Sequence, residues 1–221
     1  VPSSDRERFK EWSKTIASMT SPLQEPGVTE KVAVARGELR KYFSTVIEQR
    51  RRHPRNDLIS ALVGAQAEND EFDDEELLGF CILLLVAGNE TTTNLIGNGI
   101  LALALHPDQK NKLCSRPDLM PSAVEEFFRY DSPVQATIRH TIKDTEIGGV
   151  KINKGQSVMA MIGAANRDPE QFRNPNKLDI ERSDNRHLSL GHGIHYCLGA
   201  PLARIEAEIA FRTLLEKVPI I

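Results

Sequence analysis

Over roughly the first 130 residues, apolar positions recur every three or four places, and this spacing predicts a succession of helices. The first spans residues 4–20, with Ser3 or Ser4 as its cap. A second spans 30–52 and ends in Arg50-Arg51-Arg52-His53-Pro54. A basic last turn suits the helix macrodipole, and Pro54 stops the helix. The same run is alternatively a docking patch for an acidic partner. Residues 56–66 form a short helix with Asn56 as N-cap. Asp73 and Glu76 then stand in capping-box spacing and open a long helix reaching His106-Pro107. At about 30 residues it is about 45 Å long. Residues 122–130 make another helix, ended by Asp131-Ser132-Pro133.

The period then changes. Residues 137–142 alternate like a strand, Gly148-Gly149 and Lys154-Gly155 mark turns, and 157–162 reads as a second strand. Residues 166–185 are rich in Pro, Asn, Asp and Arg and predict an irregular loop. A glycine-rich stretch follows. The last helix, 198–217, carries Leu198, Leu202, Ile205 and Ile209 at spacings that predict one buried face. The expected fold class is mainly α with a small β region.

Composition narrows the functional classes. The chain has 221 residues, 28 Lys and Arg against 31 Asp and Glu, and a net charge of −3. That balance leaves no electrostatic footprint for nucleic acid. The longest unbroken apolar run, 80–87, is far below the about 20 residues that span a bilayer. No membrane segment is evident and no signal peptide is expected. Cys81, Cys114 and Cys197 are scattered without Cys-x-x-Cys spacing. An odd, dispersed set argues against a disulfide framework and fits a reducing, cytoplasmic compartment. Cys81 reads as core and Cys114 as exposed.

Cys197 is different. It lies among Gly191, Gly193 and Gly199, at the mouth of the last helix. Free N–H groups and the dipole there favour negative charge, hence a thiolate. Such a sulfur is a nucleophile or a metal ligand. His195 is the local base, yet nothing in the sequence aims it at the sulfur. Glycine lets the backbone approach something flat and bulky. A haem iron needs one protein ligand on that face, whereas zinc would want three or four. A buried, inert cysteine is the bland alternative.

Taken together, Leu190, Gly193, His195, Cys197 and Gly199 resemble the cytochrome P450 signature Phe-x-x-Gly-x-His/Arg-x-Cys-x-Gly, with Leu190 at the Phe position. Other segments match in order. Ala87-Gly88-Asn89-Glu90-Thr91-Thr92-Thr93 interrupts the long apolar helix. Mid-helix Gly and Thr cost propensity, and the Thr91 hydroxyl would reach the Ala87 carbonyl and bend the helix. An ordinary kink with a solvated Glu90 is the competing reading. In the family this motif faces the oxygen side of haem: Thr91 resembles the residue that steadies dioxygen, and Glu90 the acid that relays protons. Glu126 and Arg129 resemble the family's buried structural pair, with Arg182 as third member. Asn166-Arg167-Asp168-Pro169, Phe172 and Pro175 resemble the run into the family's meander. His187 and His192 read as loop residues.

The resemblance implies one partial cytochrome P450 domain over 1–221. It divides into a helical part (1–132), a β-rich and meander part (133–187), and the haem-ligand loop with the final helix (188–221). The earlier helices and the last β-hairpin of the family would be absent, so the 221-residue chain alone would bind haem poorly. Haem b would sit on Cys197 as axial ligand, against Leu190, Gly191, Gly193, Leu198, Gly199 and Ala203. Arg139 and His195 would hold its propionates. Leu83, Val86, Ala87, Gln135 and Thr137 would line the substrate side. The implied function is a haem-thiolate monooxygenase that inserts one atom of O2 into a small apolar substrate. A separate ferredoxin or flavodoxin would supply electrons, with Arg204 among the cations that could dock it. The alternatives are a haem-thiolate peroxygenase or rearrangement enzyme, and a non-catalytic haem-binding protein or inactive fragment.

Overall fold

Helical spacing in the first part of the sequence becomes six α-helices in a computed structural model that describes residues 2–18, 26–69 and 73–218. The chain divides into two compact units, Val1–Glu90 and Thr91–Ile221.

The first unit holds α1 (Arg6–Ala17), α2 (Val28–Arg52), α3 (Leu58–Asn69) and the start of α4 (Asp74–Leu105). Neither Ser3 nor Ser4 caps α1. Both fall in a 3-10 turn, Ser3–Asp5, that leads into it. The expected end at Thr20 lies outside the described residues. Phe9, Trp12, Leu39, Phe43, Ile47, Leu77, Leu78 and Cys81 make this unit's core. Its aromatic rings meet edge to face, as their quadrupoles favour, with Phe9 and Trp12 at 5.2 Å. The cap of α3 is Asp57 rather than Asn56: Asp57 Oδ1 accepts the Ser60 N–H at 2.9 Å. Asp73 and Glu76 do form the reciprocal capping box, at 2.8 and 2.9 Å.

The arginine run closing α2 is bound internally. Arg50 pairs with Asp57 at 2.6 Å, Arg51 with Asp74, and Arg52 with Glu48 at 2.9 Å. The first two bonds tie the end of α2 to the starts of α3 and α4, and the third stays within α2. α4 stays helical through Gly88-Asn89-Glu90-Thr91, so the polar stretch does not break it. A 32-residue helix bonded on both sides absorbs the weak propensity of a few residues. By length and composition α4 is also apolar enough to cross a membrane, although its longest unbroken apolar run is short. Its residues Leu95, Ala102 and Leu103 are buried in the core of the second unit.

The second unit adds α5 (Pro107–Ser115), α6 (Met120–Tyr130), two small antiparallel sheets, the single turn α7 (Ile162–Ala165), and α8 (Ala200–Lys217). Strand β1 (Thr137–His140) pairs with β4 (Ser157–Ala160), Thr137 opposite Ala160. Strand β2 (Thr145–Ile147) pairs with β3 (Val150–Ile152) across Gly148 and Gly149, at φ 58° and 80°. Two consecutive positive φ values are what a two-residue hairpin turn of type I′ requires. The core gathers Phe127 and Phe128 of α6, Leu178 and Ile180 of the irregular segment, and Ala200, Ala207 and Phe211 of α8. The expected buried stripe of α8 is thus reversed. Leu198 is 71% exposed and Ile209 60%, while Ala207 and Phe211 on the opposite face are buried.

Candidate functional site

Glu126 and Arg129 are both fully buried on α6. They are one helical turn apart and join by two bonds of 2.8 Å, Nε to Oε2 and Nη2 to Oε1. Arg182 Nε donates to Glu126 Oε2 at 3.0 Å, the Asn185 amide donates at 3.1 Å, and the Asp179 N–H donates to Oε1 at 2.9 Å. Arg129 Nη1 donates to the carbonyls of Asn166 and Pro175 at 2.9 and 2.8 Å. The Pro- and Asn-rich segment has little regular structure because its backbone is held by side chains instead. Asn166 continues the set, bonding the Ser189 hydroxyl and the Leu188 N–H at 2.8 Å each. Ser189 in turn donates to the Phe128 carbonyl at 2.6 Å.

The loop that follows closes on itself. The Cys197 N–H donates to the Leu190 carbonyl at 2.8 Å, and the Tyr196 N–H to the Gly193 carbonyl at 3.0 Å. Gly191 and Gly193 lie at φ 76° and 64°, where only glycine is unstrained. A Cβ on Gly191 would stand 2.9 Å from the His195 carbonyl oxygen. Leu190 is buried, and Cys197 is half-buried against the core of the second unit. Gly199 caps α8 without a side-chain bond, two residues beyond the thiol. Ile194, His195 and Leu198 are exposed, and Ala203 is half-buried beside the core.

Glu125, next to the buried clamp, faces the same loop. Arg204 on α8 donates to it twice, at 2.6 and 3.0 Å, and His187 Nε2 lies 3.2 Å from Oε2. Burial pushes the Glu125 carboxyl up, but the bonds from His187 and Arg204 outweigh it and hold it at about 2. The Glu125 bonds push the Arg204 guanidinium above its ordinary range. Arg204 is therefore engaged within the fold by Glu125 and Tyr196.

Arg139 is exposed on β1 and bonds the Thr137 hydroxyl at 2.8 Å and the Ile138 carbonyl at 2.9 Å. Gln135 donates its amide to the Ser132 carbonyl at 2.7 Å and packs against Gly163. Thr91 is half-buried where α4 enters the second unit. In the first unit, Glu90 and Val86 are half-buried, and Leu83 and Ala87 are exposed. Cys81 is buried, which pushes its thiol up, and Cys114 is exposed.

The family model described as cytochrome P450 matches residues 13–115 and 116–218. The chain belongs to the cytochrome P450 family. A biotin biosynthesis cytochrome P450 of Bacillus subtilis is 46% identical over 99% of this chain and 55% of its own length. A crystal structure of P450BioI in complex with an acyl carrier protein ligated to hexadec-9Z-enoic acid superposes with a TM-score of 0.93 at 45% identity, over 99% of this chain and 56% of that one. CYP109E1 of Bacillus megaterium, solved with testosterone, gives 0.95 at 42% identity, over 100% and 58%. The chain thus spans about half the length of the cytochrome P450 relatives it matches.

Members of the family bind haem, and the donor set here suits it. No group of three or more His, Cys, Asp or Glu able to hold a metal occurs among the described residues. A thiol offered singly fits a cofactor that brings its other four ligands with it. The sequence reading does not single out Glu125 or Tyr196, takes His187 as a loop residue, and gives Arg204 only as a docking cation. Glu125 lies 62 residues from His187 and 79 from Arg204 in the chain, and no spacing rule reaches that far.

Proposed function

We propose that this chain carries the oxygen-activating residues of a haem-thiolate monooxygenase acting on a small apolar substrate. The observation that supports it is the single half-buried thiol of Cys197, held by a glycine-bracketed, self-closed loop at the start of α8. Cys197 would offer its sulfur to the iron as the one ligand from the protein. Bound haem supplies the iron at which dioxygen is activated, one oxygen atom going to substrate and the other to water. Leu190, Gly191, Gly193, Leu198, Gly199 and Ala203 would contact the macrocycle, with glycine allowing close backbone approach. Arg139 and His195 would hold the propionates by charge-assisted hydrogen bonds. The hydroxyl of Thr91 and the carboxylate of Glu90 would hold and pass the protons that the reaction consumes. Leu83, Val86, Ala87, Gln135 and Thr137 would meet the substrate. Electrons would come from a ferredoxin or flavodoxin, in keeping with a cytoplasmic enzyme. A substrate presented on an acyl carrier protein, as in the P450BioI complex, falls within the same proposal.

The test uses the full-length enzyme loaded with haem. Cys197→Ser is expected to abolish the red-shifted ferrous–carbonyl band that thiolate ligation gives; retention of that band overturns the proposal. Thr91→Ala is expected to keep the band but to uncouple NADPH oxidation from product, releasing peroxide. Unchanged coupling favours a peroxide-using or rearranging enzyme.

A further inference from the structure

The loop from Leu190 to Cys197 is closed by its own backbone bonds, so the direction of Cys197 in the unit depends on what holds the two ends of that closed loop. One carboxylate reaches both. At the entry, His187 is bound three residues before Leu190. Its side chain is 3% exposed, its ring stacks on Phe128 with centroids 5.5 Å apart, and Nδ1 accepts the Ser189 N–H at 3.3 Å. That bond puts the ring proton on Nε2, which donates to Glu125. At the exit, Arg204 presents one edge to Glu125 through Nε and Nη2 and turns Nη1 to the Tyr196 hydroxyl at 3.2 Å. Tyr196 directly precedes Cys197. A bidentate carboxylate–guanidinium pair fixes the plane as well as the distance of its members.

Resting on the reading of Cys197 as the haem ligand, we propose that Glu125 is the positioning residue of the ligand loop, acting through His187 at one end and through Arg204 and Tyr196 at the other. Groups outside the ligand shell that orient a metal ligand typically change metal binding by about 10- to 100-fold when altered. Arg204 then serves the thiolate and not an acidic redox partner.

The experiment compares full-length, haem-loaded variants by the lifetime of the red-shifted ferrous–carbonyl band under mild warming and by the haem reduction potential. Glu125→Gln keeps shape but not charge, and is expected to lose the band about 10-fold faster than the parent, with a displaced potential. Tyr196→Phe removes one hydroxyl and is expected to shift both readouts less, in the same direction. Arg204→Lys should fall between the parent and Arg204→Ala. Arg212→Ala, whose guanidinium bonds the Pro117 carbonyl instead, should match the parent. Should Glu125→Gln fail to fold, Tyr196→Phe decides. The proposal is overturned if the folded variants keep the parental lifetime and potential. It is equally overturned if Arg204→Ala weakens ferredoxin or flavodoxin binding with the band unaffected. Those results leave the ligand assignment standing, because only a band surviving in Cys197→Ser removes that.

Discussion

Five donors converge on Glu126, two from Arg129 and one each from Arg182, Asn185 and the Asp179 backbone. Neither Glu126 nor Arg129 touches water, so solvent cannot replace a bond lost between them, and Arg182 alone would remain as the cation on Glu126. Replacing Arg129 by Met keeps its length but strips Glu126 of its bidentate partner and orphans the Asn166 and Pro175 carbonyls. A buried charge left so is destabilising by about 3–5 kcal/mol. Arg40→Met removes a pair open to solvent, in which one guanidinium nitrogen reaches both Glu75 oxygens, and such pairs contribute about 0–1 kcal/mol. Urea titrations of the two variants of this chain should separate them by that margin, and equal losses would refute the buried clamp. The pair itself is legible as Glu-x-x-Arg on one helix. Its surroundings are not, since Asn166, Pro175, Asp179 and Asn185 arrive from 37 to 59 residues away by a segment without periodicity.

Elements were legible where their signals are local. Asp73 and Glu76 bond each other's N–H groups across three residues, so spacing alone announces the start of α4. The cap of α3 falls one place later than Asn56, because Asp57 also holds Arg50 of α2, a partner the local pattern cannot show. α5 carries Pro107 in its first turn but a polar, Lys-rich face that gives no strong apolar period. Gly99 of α4 shows how an unremarkable position becomes decisive. A Cβ there would overlap the edge of the Phe211 ring from α8 and stand 3.2 Å from Phe127 of α6. Gly97, two places earlier on the same helix, has nothing within 4 Å of its would-be Cβ. Ala at either site gains about 1 kcal/mol of helix propensity. At Gly99, overpacking between two aromatic rings costs about 1–3 kcal/mol and outweighs the gain. Urea midpoints should therefore rise for Gly97→Ala and fall for Gly99→Ala; a shift of the same sign in both would contradict this packing of α4, α6 and α8.

Across the whole molecule, the largest departure from the sequence reading concerns α8. Leu198, Leu202, Ile205 and Ile209 state that the helix has an apolar stripe, and periodicity says nothing of what covers it. The covered face is the opposite one, where Ala200, Ala207 and Phe211 enter the core, and small alanines carry no strong hydrophobic signal. Four large side chains, each more than half exposed along three turns, exceed the scattered apolar residues that soluble surfaces normally show. The chain spans about half the length of its relatives, so a polypeptide of their full length has more chain with which to cover this stripe. The 221-residue chain by itself is therefore expected to bind a hydrophobic dye and to self-associate as its concentration rises, with sedimentation velocity as the measure. Changing the four residues together to Gln should abolish both effects and leave the helical circular dichroism intact, because the core of the second unit rests on the other side of α8. Loss of helix in that variant would mean the stripe supports the fold after all. A parent chain that stays monomeric and dye-silent at high concentration would mean that the stripe is not the open apolar surface described.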